Sequence, residues 1–153
     1  MSTNTNPSRQ DVAARIFVYG TLKTGFPNFH INTGTRVPGE FVTVQRFPLY
    51  LIAPTQVPWL VNRPGEGEFV VGEVFEVDAN TLARMDVLEQ IDEPLWYARE
   101  ALLVQRLDDS TSPPIQAQVY FGSAERLLTA SIHAGPLSEY TRAHARGYQP
   151  EQV

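Results

Sequence analysis

The 153-residue sequence contains no cysteine, which leaves its reactive chemistry to oxygen and nitrogen groups. Disulfides, thiolate nucleophiles and cysteine-ligated metals are excluded. The three histidines, His30, His133 and His144, are far apart and lack the spacing of a helical metal site. No serine pairs plausibly with any of them, so carboxylates remain as the acid–base candidates. The segment Asp86-Val87-Leu88-Glu89-Gln90-Ile91-Asp92-Glu93 concentrates four of these just before Pro94. Glu89 sits beside an apolar stripe in the last turn of an expected helix. The helix dipole, the neighbours Asp86, Asp92 and Glu93, and partial burial all oppose its ionisation and raise its pKa. The same residues could equally form a solvated acidic helix end, and the local sequence leaves both readings open. Glu73 competes for the role. It stands among Phe69, Val71, Phe75 and Val77, where an acid can be paired structurally, line a cavity or face solvent. Tyr97 brings a hydroxyl that could aim at a ligand, and Trp59 either packs as a wedge or walls a pocket. Lys23 and Arg99 read as solvated charges.

A second feature suggests binding rather than proton transfer. In Phe17-Val18-Tyr19-Gly20-Thr21-Leu22-Lys23 a strand-like run of β-branched and aromatic residues stops at Tyr-Gly. Gly20 removes a side chain where the chain must turn. Gly25 and Pro27 keep the following residues out of regular structure. Successive N–H groups in such a turn can converge on an anion, although the same spacing also describes an ordinary strand exit.

The elements that must position these groups can be read from periodicity. Residues 15–19, 68–77, 97–107 and 115–121 read as strands. The third and fourth are joined by a polar hairpin at 108–114. Residues 41–52 are β-type but interrupted by Pro48, which points to an edge strand or two short strands. Val57-Pro58-Trp59-Leu60-Val61 is an apolar island in a Pro- and Gly-rich connection. Apolar residues on both faces of 68–77 imply burial on both sides. Asp78 or Asn80 can cap a helix carrying Leu82, Met85 and Leu88, with Pro94 as its stop. A short helix is expected within 124–132, and a loop-like arm from Gly135. Antiparallel-type strands with one firm helix define an α+β protein whose sheet curls into a small barrel.

Composition narrows the partners. The net charge of −5 and the scatter of the 12 basic residues argue against a nucleic-acid surface. No apolar run approaches the ~18 residues of a membrane span. The polar start, residues 1–14, reads as a disordered tail ahead of a single domain over 15–153, and a cytoplasmic setting is the default.

Tyr19-Gly20-Thr21-Leu22-Lys23, Gly25-Phe26-Pro27-Asn28, Pro58-Trp59-Leu60, Gly72-Glu73-Val74-Phe75, Leu88-Glu89 and Tyr97-Ala98-Arg99 occur in one order. This ordered set resembles the γ-glutamylcyclotransferase-like family, most closely its γ-glutamylamine cyclotransferase branch, from about Ile16 to Phe121. The resemblance implies a small mixed β-barrel with flanking helices. It implies that Glu89 is the catalytic acid/base and that Tyr19, Gly20, Thr21 and Leu22 form the substrate-binding loop. It sets Tyr97 at the border of the same cavity, with Trp59 and Glu73 as further candidates for its wall. The implied reaction converts a small-molecule γ-glutamyl amide to 5-oxoproline and a free amine, and needs neither metal nor cofactor. A noncatalytic binding barrel and a cyclotransferase for γ-glutamyl amino acids are the alternatives. The oligomeric state is not legible.

Overall fold

Alternation along the first strand organises the molecule, which the computed structural model describes over residues 11–149. In β1 (Ala14–Val18), Ile16 and Val18 belong to one apolar cluster, while Phe17, with Tyr19 beyond it, belongs to another. Successive strand side chains point to opposite faces, so β1 is a wall between two cores. The central strand Val71–Val77 behaves alike: Val74 joins the cluster of Phe17, and Phe75 and Val77 join that of Ile16. Burial on both sides of this strand is therefore as expected.

The remaining strands, in chain order, are β2 (Thr35–Arg36), β3 (Phe41–Thr43), β4 (Leu49–Ile52), β5 (Val57–Leu60), β6 (Val71–Val77), β7 (Tyr97–Arg106), β8 (Ile115–Gly122) and β9 (Ile132–Ala134). Strands β1, β8, β7, β3 and β6 pair in that order, and β6 pairs back to β1, which closes a five-stranded barrel. β2 adds to β6. The β1–β8 pairing is parallel and the others are antiparallel. The fold is thus α+β, a mixed and mostly antiparallel barrel with short helices, as the sequence predicts.

Pro48 divides 41–52 between two sheets: β3 enters the barrel, and β4 joins a three-stranded sheet in the order β5-β4-β9. Here the structure departs from expectation. The island at 57–61 is not merely part of a connection, because β5 is a strand with all four residues buried. Pro58 lacks an N–H, which argues against a strand interior, but β5 is an edge strand and tolerates the missing donor.

Helix α1 (Ala79–Leu88) is capped by Asp78, whose carboxylate accepts the Thr81 N–H at 2.8 Å. It buries Met85 and Thr81. It does not run to Pro94. Gln90 adopts φ 52°, a left-handed conformation that ends the helix and turns the chain toward the start of β7. The region 124–132 is only partly helical, with α2 at Ala124–Leu127, before β9 begins. The arm from Gly135 is more than loop. It contains α3 (Arg142–Ala145), and Tyr140 is fully buried. Of the tail expected at 1–14, residues 1–10 lie outside the described ones. The Ala13 N–H already bonds Val77 O at 2.8 Å, so ordered pairing starts earlier than expected. Among the described residues no helix is long and apolar enough to cross a membrane.

Candidate active site

Where β1 leaves the barrel, a cavity of about 660 Å³ opens between the loop after β1, the C-terminal half of α1 and the start of β7. Tyr19, Gly20, Thr21 and Leu22 line it on one side, and Leu88, Glu89 and Tyr97 on the other. The chain brings these residues together because β1 and β7 both flank β8, while α1 packs over the outer core through Met85.

The loop is a turn closed by the Lys23 N–H, which donates to Gly20 O at 3.1 Å. Thr21 O accepts the Asn28 N–H at 2.9 Å, and Asn28 Nδ2 donates to Thr21 Oγ1 at 2.8 Å. The N–H groups of Gly20, Thr21 and Leu22 have no partner among the described residues, so the turn offers donors to the cavity. Gly20 is required by close approach rather than by an unusual φ. A Cβ there would stand 2.8 Å from the Pro58 ring.

Behind the turn, Glu73 Oε1 accepts both the N–H and the hydroxyl of Thr24, at 2.8 and 2.9 Å, and Oε2 lies 3.6 Å from Arg36 Nη2. This buried carboxylate holds the loop from beneath and does not line the cavity, which corrects one expected wall residue. Trp59 is the other correction. Fully buried, it packs behind Tyr97 with the rings tilted by 45° and their centroids 4.5 Å apart, and its indole N–H donates to Ser123 O at 2.9 Å. It supports the wall without forming its surface. Lys23 is not solvated either. Its Nζ donates to Tyr140 O at 2.5 Å and lies 4.4 Å from the Phe26 ring centre. Burial pulls its pKa down, opposed by Glu139, Glu73 and Glu40.

Glu89 follows the last residue of α1, its N–H donating to Met85 O at 2.9 Å. Its side chain faces the cavity, and no hydrogen bond or ion pair meets its carboxylate among the described residues. Burial raises its pKa from 4.5 to about 8. The expected cause was different in part. Asp92 and Glu93 are exposed, and Asp86 is engaged by Arg99, at 3.0 and 3.2 Å, and by the Tyr120 hydroxyl at 2.6 Å. Arg99 is therefore half-buried in an ion pair rather than free in solvent.

The phenols are fixed donors. Tyr19 Oη donates to Tyr120 O at 2.6 Å, and Tyr97 Oη makes a short bond to Pro58 O. Burial holds both pKa values well above 10, with the Glu89 charge a further cause. Both stay protonated throughout the neutral range. Tyr97 Oη is thus committed to β5 rather than aimed at a ligand.

Sequence reasoning assigned no role to Asn28 or Tyr148, although both line the cavity. Asn28 belongs to the Gly25-Phe26-Pro27-Asn28 segment, and its position after Pro27 was the available signal. Tyr148 lies in the arm, where no pattern marks it. Its hydroxyl accepts from Asn28 Nδ2 at 3.2 Å. Among the described residues no group of three His, Asp or Glu side chains could hold a metal ion.

A barrel with a desolvated carboxyl facing unpaired backbone N–H groups suits acid–base chemistry on a small molecule. The family model for "Gamma-glutamyl cyclotransferase, AIG2-like" matches residues 16–141, and the chain belongs to that family. It is an enzyme of this cyclotransferase type. A putative gamma-glutamylcyclotransferase of Drosophila melanogaster is 46% identical, over 93% of this chain and 89% of its own length. The gamma-glutamylaminecyclotransferase of Mus musculus is 40% identical over 70% of this chain and 76% of its own. The crystal structure of an AIG2-like protein from Mus musculus superposes with a TM-score of 0.72 and 35% identity, covering 92% of this chain and 97% of that one. The family match extends past Phe121 into the C-terminal arm, as far as Thr141.

Proposed function

We propose that the chain is a γ-glutamylamine cyclotransferase in which Glu89 moves the protons. The reading rests on one observation above all: among the described residues, the one carboxyl lining the cavity is both uncompensated and raised to about 8. It continues the cytoplasmic setting expected from the sequence.

In a γ-glutamyl amide, the α-amine attacks the side-chain carbonyl and closes a five-membered ring. The C–N bond to the leaving amine then breaks, giving 5-oxoproline. Nucleophile and electrophile share one molecule, so holding the folded conformer supplies much of the acceleration, up to roughly 7–11 kcal/mol. The loop N–H groups at 20–22 would receive the substrate α-carboxylate or the developing oxyanion. Glu89 takes a proton from the α-ammonium and delivers one to the departing nitrogen. A carboxyl with a pKa near neutrality does both efficiently, for a factor of about 10²–10⁴.

The test is a panel of γ-glutamyl amides and γ-glutamyl dipeptides assayed for 5-oxoproline with the wild-type chain and Glu89→Gln. Turnover of the amides that the substitution abolishes supports the reading. Binding without turnover by the wild type makes the protein a noncatalytic module, and preferential turnover of dipeptides transfers it to γ-glutamyl amino acids.

A further inference from the structure

Asn28 stands where an asparagine side chain ordinarily serves the backbone. It caps the single helical turn Phe29–Ile31, a position from which the side-chain oxygen usually accepts an N–H of that turn. No such bond forms here. The amide faces the loop after β1 instead. Nδ2 donates to Thr21 Oγ1 at 2.8 Å and to Tyr148 Oη at 3.2 Å, which commits both of its protons. Oδ1 meets no donor among the described residues, although Asn28 is only 8% exposed. Because Asn28 lines the cavity, this acceptor is left for a donor that enters it.

Its place beside the turn gives the open acceptor a use. The Asn28 N–H bonds Thr21 O at 2.9 Å, so backbone and side chain both fix it against the segment whose N–H groups receive an anion in the reading above. Whether those groups take the α-carboxylate or the oxyanion, the α-amine of a closing glutamyl ring sits next to what they hold. Other acceptors nearby are already engaged: Gly20 O by the Lys23 N–H, Pro58 O by the Tyr97 hydroxyl and Tyr120 O by the Tyr19 hydroxyl. The chemistry also asks for a neutral acceptor. A second carboxylate would hold the proton on the amine, whereas an amide oxygen orients the amine and lets the proton leave.

We propose that Asn28 is a substrate-binding residue whose Oδ1 accepts a hydrogen bond from the substrate α-amine and aims that amine at the γ-carbonyl. The inference rests on the cyclotransferase reading and deepens it. The ammonium gives one proton to Glu89, a remaining N–H stays on Asn28 Oδ1, and the freed lone pair forms the new C–N bond of the ring. Thr21 and Tyr148, by holding both protons of the amide, fix which of its atoms faces the amine. Orientation of this kind is where an intramolecular reaction gains most.

Two ligands that differ in one group test this: γ-glutamyl butylamide, and glutaric acid monobutylamide, which lacks only the α-amine. Their Kd values are measured by calorimetry on the full chain carrying Glu89→Gln, so that the first is not consumed. Adding Asn28→Ala should weaken the glutamyl ligand by about three- to tenfold and the glutaric ligand by less than about twofold. Asn28→Asp keeps the shape and strengthens the acceptor, so it should preserve or enlarge the preference for the ligand with the amine. Equal effects of Asn28→Ala on the two ligands, or a preference that Asn28→Asp diminishes, overturn the inference. Absence of 5-oxoproline from the wild-type chain contradicts the cyclotransferase reading instead. The same Kd comparison, made with Glu89 in place, then decides the role of Asn28 separately.

Discussion

Two glutamates stand on opposite sides of the same loop, and their surroundings differ in kind. Glu73, beneath the turn, is met by the N–H and hydroxyl of Thr24 and by Arg36. Glu89, across the cavity, is half-buried and meets no donor among the described residues, and desolvation raises its pKa to about 8. Both lie in or beside apolar surroundings. A buried carboxylate supplied with donors stabilises the fold, whereas one left without them is ready to exchange a proton. Compensation, more than burial, separates the structural acid from the proposed catalytic one.

Glu89→Gln should lower kcat by about 10²–10⁴ with little change in KM, measured by 5-oxoproline release. Glu73→Gln should act mainly through KM as the loop loosens, and the residual activity should keep the wild-type pH profile. A larger kcat loss in Glu73→Gln would transfer the proton-transfer role.

The second effect is on stability, where the two substitutions should have opposite signs. Glu89 has a folded pKa above its unfolded value, so the native state binds more protons between about 4.5 and 8. Its contribution to stability falls as pH rises through that window. Glu89→Gln should therefore stabilise the protein at pH 9, by about 2–4 kcal/mol after allowance for the cavity's opening to solvent, and change little at pH 4. Glu73→Gln should destabilise by about 1–3 kcal/mol at neutral pH through weakened bonds to Thr24 and Arg36. Urea unfolding at the two pH values reads both signs.

Lys23→Met removes the donor to Tyr140 O and the contact with Phe26, and should cost about 1–3 kcal/mol by urea unfolding while raising KM. Tyr148→Phe keeps the ring and loses the acceptor for Asn28, and its expected cost is about twofold to fivefold in KM with kcat retained.

The barrel strands were legible because a strand buried on both faces carries an apolar run, and the β7–β8 hairpin because polar residues separate two alternating segments. β5 was hidden by Pro58, whose missing donor is harmless only at a sheet edge that a linear sequence does not reveal. The end of α1 was misplaced because Pro94 is a conspicuous stop, while Gln90 in a left-handed conformation leaves no compositional mark. At the site, local features marked the turn after β1 and Glu89 only as candidates, and the family resemblance supplied their roles. The reason for Glu89's raised pKa was only partly readable, since the pairing of Asp86 with Arg99 depends on β7 lying beside α1. The placement of Glu73 behind the loop, of Trp59 behind Tyr97 and of Tyr148 in the wall are tertiary facts with no local signature.

The pH dependence of kcat/KM for a γ-glutamyl amide reads the ionisation of Glu89 in the free enzyme. If Glu89 moves the protons, the profile has an acidic limb with an apparent pKa near 8, below which activity falls about tenfold per pH unit, absent from the residual activity of Glu89→Gln. A profile flat from about pH 6 to 9, or a limb in the ordinary carboxylate range near 4.5, would contradict that role.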